Sequence, residues 1–304
     1  MKLGFIGLGT MGTPMATNLL KAGHALRVFD IDRSRADALI ALGAEWADSP
    51  AEAAQGAEVV LTSLPGPAQV EEVIAGEGGV LEGIGAGAVW VDLTTNEIEV
   101  IRTLAGLMAE KGAETLDVPV TGGVLNAHAG KITVFAGGAE AAFETVRPVL
   151  DAMAAEVFHF GELGSGTVIK LVTNFVAFVN AVALGEGMIF ATRYGIDTGH
   201  ALEAIKSSYA DSFVAQTDGG KILSGDYASD FVMSLACKDI RLTLELAGKM
   251  GLELPATELS GRVFNEARES YGENVGCLQA IRLLEERNGV ALSRLTAAAG
   301  LPGS

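Results

Sequence analysis

The chain has 304 residues, 49% of them hydrophobic, enough to bury a large core and, at roughly 100 to 200 residues per domain, to form two domains. Its 21 lysines and arginines face 38 acids, and the net charge of −17 opposes binding to nucleic acid or to an anionic membrane. Two cysteines, Cys237 and Cys277, with no CxxC pair and no His/Cys cluster, argue against a disulfide framework or a structural metal and suit a reducing cytoplasm.

The N-terminus opens on the strand-like MKLGFIGLG, without the basic segment, apolar run and cleavage site of a targeting peptide. From there short apolar or β-branched runs alternate with amphipathic stretches, the order expected of βαβ units. Strands are predicted at Lys2 to Ile6, Ala25 to Asp30, Glu58 to Ser63, Ala88 to Asp92, Glu114 to Leu116, Ile132 to Ala136 and Val157 to Phe160. Right-handed crossovers would gather them into one mainly parallel, doubly wound sheet with helices on both faces, an α/β fold. The glycine-rich GEGGVLEGIGAG, Gly76 to Gly87, reads as a mobile surface connection.

After Gly166 only helical periodicities follow, among them Val168 to Tyr194, Asp197 to Tyr209, Leu235 to Met250 and Ser260 to Tyr271. This predicts an α/β domain over residues 1–163, an all-helical domain over 164–304, and an interdomain helix over about 167–193. Val168 to Ala191 is apolar enough to raise the question of a membrane span. Lys170, Asn174, Asn180 and Glu186 interrupt it, which predicts burial within protein instead.

The first motif with chemistry is GLGTMGTPMATNL, where Gly7, Gly9 and Gly12 form GxGxxG between a strand and a helix. Such a loop, Gly7, Leu8, Gly9, Thr10, Met11 and Gly12, lets the backbone approach a pyrophosphate whose charge the helix N-terminus stabilises. Asp30 ends the second predicted strand, where a carboxylate accepts hydrogen bonds from ribose hydroxyls and repels a ribose phosphate, so NAD is expected over NADP. Arg33 nearby keeps NADP open.

Two more loops fall at the carboxyl ends of strands, the edge where doubly wound sheets bind ligands. In SLPGP, Leu64 and Pro65 can lay stiffened backbone along the cofactor; in DLTTNE, the Thr94 and Thr95 hydroxyls can reach its nicotinamide end. A plain turn and a helix N-cap explain the same residues. Thr121, Gly122 and Gly123 place a hydroxyl beside two bare peptides, able to wrap a carboxylate or to form an ordinary β-turn. Lys170 and Asn174 stand one helical turn apart near the predicted domain junction and can converge on one small substrate. Beside a nicotinamide an ammonium can polarise a carbonyl and exchange a proton; elsewhere it can simply snorkel to solvent.

GLGTMGTPMATNL, DVPVTGG, GELGSGTVIKLVTN and SLACKD, in this order across essentially the whole chain, resemble the β-hydroxyacid dehydrogenases. That family includes 3-hydroxyisobutyrate dehydrogenase and the tartronate semialdehyde, glyoxylate and succinic semialdehyde reductases. The resemblance implies a Rossmann domain, a long interdomain helix and a helical domain that forms a homodimer or homotetramer. It implies Lys170 as acid/base, Asn174 as orienting group, Thr121, Gly122 and Gly123 around a small carboxylate substrate, Lys238 and Asp239 on the cofactor side, and Phe231 at the same mouth. Thr121 replaces the usual serine, Thr173-Asn174 the usual Asn-Asn, and no proline follows Asp92 at the customary place. Val124-Leu125-Asn126 lacks the arginine of sulfolactaldehyde-type members, which disfavours a sulfonate. Imine reductases and non-catalytic members generally lack the lysine. Phosphogluconate dehydrogenase, a larger relative, needs a longer helical domain.

Overall fold

The computed structural model describes residues 1–229 and 231–293. The chain divides into two compact units, one over Met1–Lys170 and one that begins at Leu171. The first is built on β1 (Lys2–Ile6), β2 (Ala25–Phe29), β3 (Glu45–Trp46), β4 (Val59–Thr62), β5 (Val89–Asp92) and β6 (Glu114–Asp117), all parallel, in the order β3-β2-β1-β4-β5-β6. That is a doubly wound, Rossmann-type sheet.

Alternation along the strands fills both faces. Leu3, Phe5, Val59, Leu61, Val89 and Val91 enter one core, while Ile6, Val60 and Trp90 enter the other. Strands covered on both faces carry near-continuous apolar runs, which is why KLGFI, VVLT and VWVD read clearly as strands.

One expectation fails here. The later strands do not join the large sheet: β7 (Val120–Thr121), β8 (Ile132–Ala136) and β9 (Ala154–His159) form a separate three-stranded sheet, with β7 antiparallel to β8. Pro119 follows β6 and has no N–H to donate, so the ladder stops at Asp117 and the chain turns before resuming as β7. The two sheets touch through the antiparallel bridge between Asp117 and Gly137.

The glycine-rich stretch 76–87 is likewise no loose connection. It contains the helix Val80–Gly83, Val80 and Ile84 are buried, and a Cβ on Gly83 would lie 1.9 Å from the Ala51 carbonyl oxygen. The short β3 was not anticipated, being only two residues long.

A 30-residue helix, Ser165–Tyr194, starts in the first unit and continues into the second. By length and composition it is apolar enough to cross a membrane. The second unit adds the helices Thr198–Lys206, Phe213–Ser224, Met233–Lys249, Pro255–Tyr271 and Gln279–Asn288 around a core that includes Phe178, Met188, Ile240, Phe264 and Ile281. Among its described residues the β-structure is a single bridge, Val232 to Gly276.

Candidate active site

The carboxyl ends of β1, β2, β4, β5 and β6 bring the predicted loops of the first unit to one edge. At the end of β1, Gly7 has φ +95°, and a Cβ there would lie 2.3 Å from the Ser63 carbonyl oxygen. A Cβ on Gly12 would lie 1.9 Å from the carbonyl oxygen of Gly7, so the loop and the first helix, Gly12–Lys21, can meet only through glycine. Gly9 is different: the nearest atom to its Cβ position is Arg35 Nη1 at 3.9 Å, which leaves its backbone open to a ligand. Met11 precedes the first helix with no side-chain cap, and the first turn carries no acid. Within that turn the Thr13 N–H donates to the Gly9 carbonyl oxygen at 3.1 Å and Pro14 has no N–H, so a phosphate would meet the open glycine loop and the positive end of the helix, and the loop fits a dinucleotide pyrophosphate. Leu8 is buried in the core and offers only backbone; Thr10 is exposed.

Asp30, just past β2, is buried and holds this loop directly. One carboxylate oxygen accepts the Leu8 N–H at 2.7 Å, the other the Asp32 N–H at 2.9 Å. Arg33, the cation singled out from sequence, instead lies 5.4 Å over the Trp46 ring. Arg35 takes the place beside Asp30, 3.7 Å from its carboxylate. Spacing alone did not separate the two arginines; the 3₁₀ turn Arg33–Ala36 does.

After β4, Leu64 packs against the second core and Pro65 is exposed. The Leu64 N–H donates to Thr94 Oγ1 at 3.1 Å, so Thr94 braces the neighbouring loop rather than capping the helix Ile98–Glu110. Thr95, next to it, is half-buried.

Beneath these loops lies a group that sequence reading missed. Asp92 is fully buried and accepts hydrogen bonds from Thr62 Oγ1 (2.9 Å), the Thr94 N–H (3.2 Å) and Asn96 Nδ2 (2.9 Å), while Trp90 Nε1 donates to Thr62 Oγ1 at 3.0 Å. Burial pushes the Asp92 carboxyl up to about 6, against the pull of these donors. Its signal was an acid closing an otherwise apolar strand, VWVD, and Asp117 closes β6 in the same way.

Thr121 and Gly122 are brought to the end of β7, and Gly122 and Gly123 have φ +118° and +74°, values that favour glycine. The turn opens the helix Gly123–Ala129, which Asn18 Nδ2 holds by donating to the Ala127 carbonyl oxygen at 2.7 Å. Four residues before Thr121, Asp117 accepts the N–H groups of Gly164 and Thr167, both at 2.7 Å. Burial pushes its carboxyl up, opposed by those two N–H groups. Lys170 follows on the same helix and is only 7% exposed, so it is not a solvated surface lysine.

In the second unit Asn174 Nδ2 donates to Asp239 Oδ2 at 2.6 Å, and Lys238 Nζ lies 3.1 Å from Asp239 Oδ1. Asp239 is buried, so its carboxylate holds two predicted site residues rather than facing solvent. Phe231 stacks on Phe178 at 6.1 Å between ring centroids, at the margin of the helical core. Among the described residues no group of three or more His, Cys, Asp or Glu side chains could hold a metal ion.

A doubly wound sheet with an open, uncapped glycine loop, followed by a helical unit, defines a dinucleotide-binding protein. Comparison with known proteins agrees. Residues 2–161 match the NAD binding domain of 6-phosphogluconate dehydrogenase, and residues 164–284 match the NAD-binding region of NADP-dependent 3-hydroxyisobutyrate dehydrogenase. The 2-(hydroxymethyl)glutarate dehydrogenase of Eubacterium barkeri is 36% identical over 96% of this chain and 98% of its own. The 2-hydroxy-3-oxopropionate reductase of Escherichia coli is 32% identical, over 94% and 97%. Among solved structures, Mycobacterium tuberculosis 3-hydroxyisobutyrate dehydrogenase with L-serine superposes with a TM-score of 0.85 at 26% identity, covering 93% of this chain and 98% of that one. The chain belongs to the β-hydroxyacid dehydrogenase family, that of 3-hydroxyisobutyrate dehydrogenase. It is accordingly an NAD(P)-dependent oxidoreductase acting on CH–OH groups.

Proposed function

We propose that the protein is an NAD-preferring dehydrogenase of a small β-hydroxy acid, or the reductase of the matching semialdehyde, with Lys170 as its acid/base. The observation that carries this reading is the burial of a lysine on the helix whose first turn Asp117 ties to the strand end leading into Thr121-Gly122-Gly123. A buried amine on that helix can serve a carbonyl or hydroxyl as acid and base.

The cofactor, when bound, accepts or returns the hydride. Gly7 to Gly12 would hold its pyrophosphate, Asp30 its adenosine ribose, Leu64 and Pro65 its flank, and Thr95, Lys238 and Asp239 its nicotinamide side. Thr121 with the N–H groups of Gly122 and Gly123 binds the substrate carboxylate. Asn174, oriented by Asp239, aligns the reacting carbon. In the oxidative direction Lys170 Nζ, as the neutral amine, removes the hydroxyl proton; in the reductive direction its ammonium polarises the carbonyl and returns that proton.

The relatives' names point to substrates with a hydroxymethyl or aldehyde carbon next to the carbon that bears the carboxylate. Val124-Leu125-Asn126 offers no cation after the turn, which favours a single carboxylate over a sulfonate. Glyoxylate, succinic semialdehyde and tartronate semialdehyde are the alternative substrates. We also infer a cytoplasmic homodimer or homotetramer without nucleic-acid or membrane partners. Phe190, Tyr194 and Phe213 of the second unit are 78%, 83% and 77% exposed, apolar area that a second copy would cover.

A turnover panel of 3- and 4-carbon hydroxy acids and their semialdehydes, each with NAD(H) and NADP(H), tests the assignment. Activity only on substrates without a carboxylate, or a strong preference for NADPH, would overturn it. Light scattering that found a monomer at micromolar concentration would remove the oligomer.

A further inference from the structure

Asp117 stands between the two segments that the reaction needs in register. Its carboxylate is 1% exposed, and its two oxygens each take one N–H of the long helix's start, Gly164 and Thr167 at 2.7 Å. Those N–H groups have no partner within the helix, and the positive end of the helix dipole meets a full negative charge. Lys170 follows Thr167 by three residues, about one turn. The backbone of Asp117 is fixed as well: its N–H donates to the Gly137 carbonyl at 3.0 Å and its carbonyl accepts the Gly137 N–H at 2.8 Å.

Two glycines make this approach possible. A Cβ on Gly137 would fall 2.4 Å from Asp117 Oδ1, and one on Gly166 would fall 2.2 Å from the Phe135 carbonyl oxygen and 2.6 Å from that of Asp117. Four residues beyond Asp117 the chain reaches Thr121. One joint thus fastens the strand end that leads to the turn and the helix start that leads to the lysine.

We propose that Asp117 is the positioning residue of the reaction: with Gly137 and Gly166 it sets Lys170 Nζ in register with the Thr121-Gly122-Gly123 turn. The inference rests on Lys170 being the acid/base. A carboxylate held at one segment and a hydroxyl carbon presented to the other leave little slack, and misplacement by about 1 Å costs on the order of 10²-fold in rate.

Asp117→Asn keeps the shape but turns one acceptor into a donor facing an N–H group. The expected result is a kcat lower by about tenfold or more, with the dissociation constant for NAD within about twofold of wild type, because the Gly7 to Gly12 loop is untouched. If Asp117 acts through Lys170, the Asp117→Asn/Lys170→Ala double variant is no slower than Lys170→Ala alone. Losses that multiply, or an Asp117→Asn kcat equal to wild type, would overturn the proposal. Rates are taken per NAD-binding site, so a loss of folded protein does not imitate a loss of kcat. Gly166→Ala makes the second test with the carboxylate intact: kcat should fall while NAD affinity holds, and an unchanged kcat counts against the joint. A Lys170→Ala enzyme near wild-type turnover would instead remove the acid/base reading itself, whatever Asp117 does.

Discussion

The two units spend their buried carboxylates differently. In the sheet unit they hold backbone: Asp30 takes the N–H groups of Leu8 and Asp32, Asp117 those of Gly164 and Thr167, and Asp92 that of Thr94 beside two side chains. In the helical unit Asp239 holds side chains, Asn174 and Lys238. Glu285 lies between the two habits, accepting from Tyr227 Oη and from the Leu292 N–H at 2.5 Å. The reason is geometric. Loops at strand ends leave N–H groups without ladder partners, so an acid there satisfies the chain itself, whereas a helix interior has no spare N–H and presents only side chains.

The largest test of that contrast is at Lys170, on the helix whose start Asp117 holds. Lys170→Ala should lower turnover by about 10²-fold or more with NAD binding preserved, and Lys170→Arg should do almost as badly, because a guanidinium keeps its proton and cannot act as base. Steady-state kinetics with a separate NAD titration reads both. A near-normal Lys170→Arg enzyme would mean that charge alone, not proton exchange, is needed.

Next comes Asp92. Its folded-state value of about 6, against 3.8 in the unfolded chain, means that the native state binds the proton more tightly. The associated stability is fully present below the unfolded value and is lost as pH rises through about 6. Between pH 4 and 6 the wild type should therefore lose on the order of 2 kcal/mol relative to Asp92→Asn, at no more than about 1.4 kcal/mol per unit. Urea unfolding of both proteins across that window measures it; parallel curves would show that the donors around Asp92 cancel its burial.

A smaller effect is expected from Asp239→Asn. If this acid serves side chains, KM for the hydroxy acid should rise by about tenfold as Asn174 loses its anchor, and NAD should bind more weakly as Lys238 loses its own. A variant in which only thermal stability falls would place Asp239 with the backbone-holding acids instead. The smallest effect concerns Asp30. Asp30→Asn leaves Arg35 beside the ribose site and should narrow the preference for NAD over NADP by several-fold. The ratio of kcat/KM for the two cofactors checks it, and an unchanged ratio would assign Asp30 wholly to its hydrogen bonds with the Leu8 and Asp32 N–H groups.

What could be read from the sequence follows the same division. Strand-end loops announce themselves, since a glycine or an acid after an apolar run is a local signal, and GLGTMG, SLPGP and DLTTNE all follow strands of the large sheet at its carboxyl edge. The separate small sheet was hidden because a strand's partner is not a local property; only Pro119 hinted at the break. The helix Phe213–Ser224 carries two adjacent glycines in QTDGGK, and Gly219 sits where a Cβ would meet the Leu202 side chain at 2.7 Å, so this glycine serves packing, which no local pattern shows. Arg35 rather than Arg33 beside Asp30 depended on the twist of a single 3₁₀ turn, beyond the reach of spacing.

Gly12 and Gly83 share one feature with different meanings: in each a Cβ would lie 1.9 Å from a carbonyl oxygen, of Gly7 and of Ala51 respectively. Only the first belongs to the nucleotide loop. A saturation library scored for growth would therefore find both positions equally closed to substitution, and a map of intolerance would draw Gly83 into the functional site. The two would separate only when abundance and activity are scored independently, and then Gly9, whose surroundings are open, should be the glycine that tolerates a methyl group for folding but not for turnover.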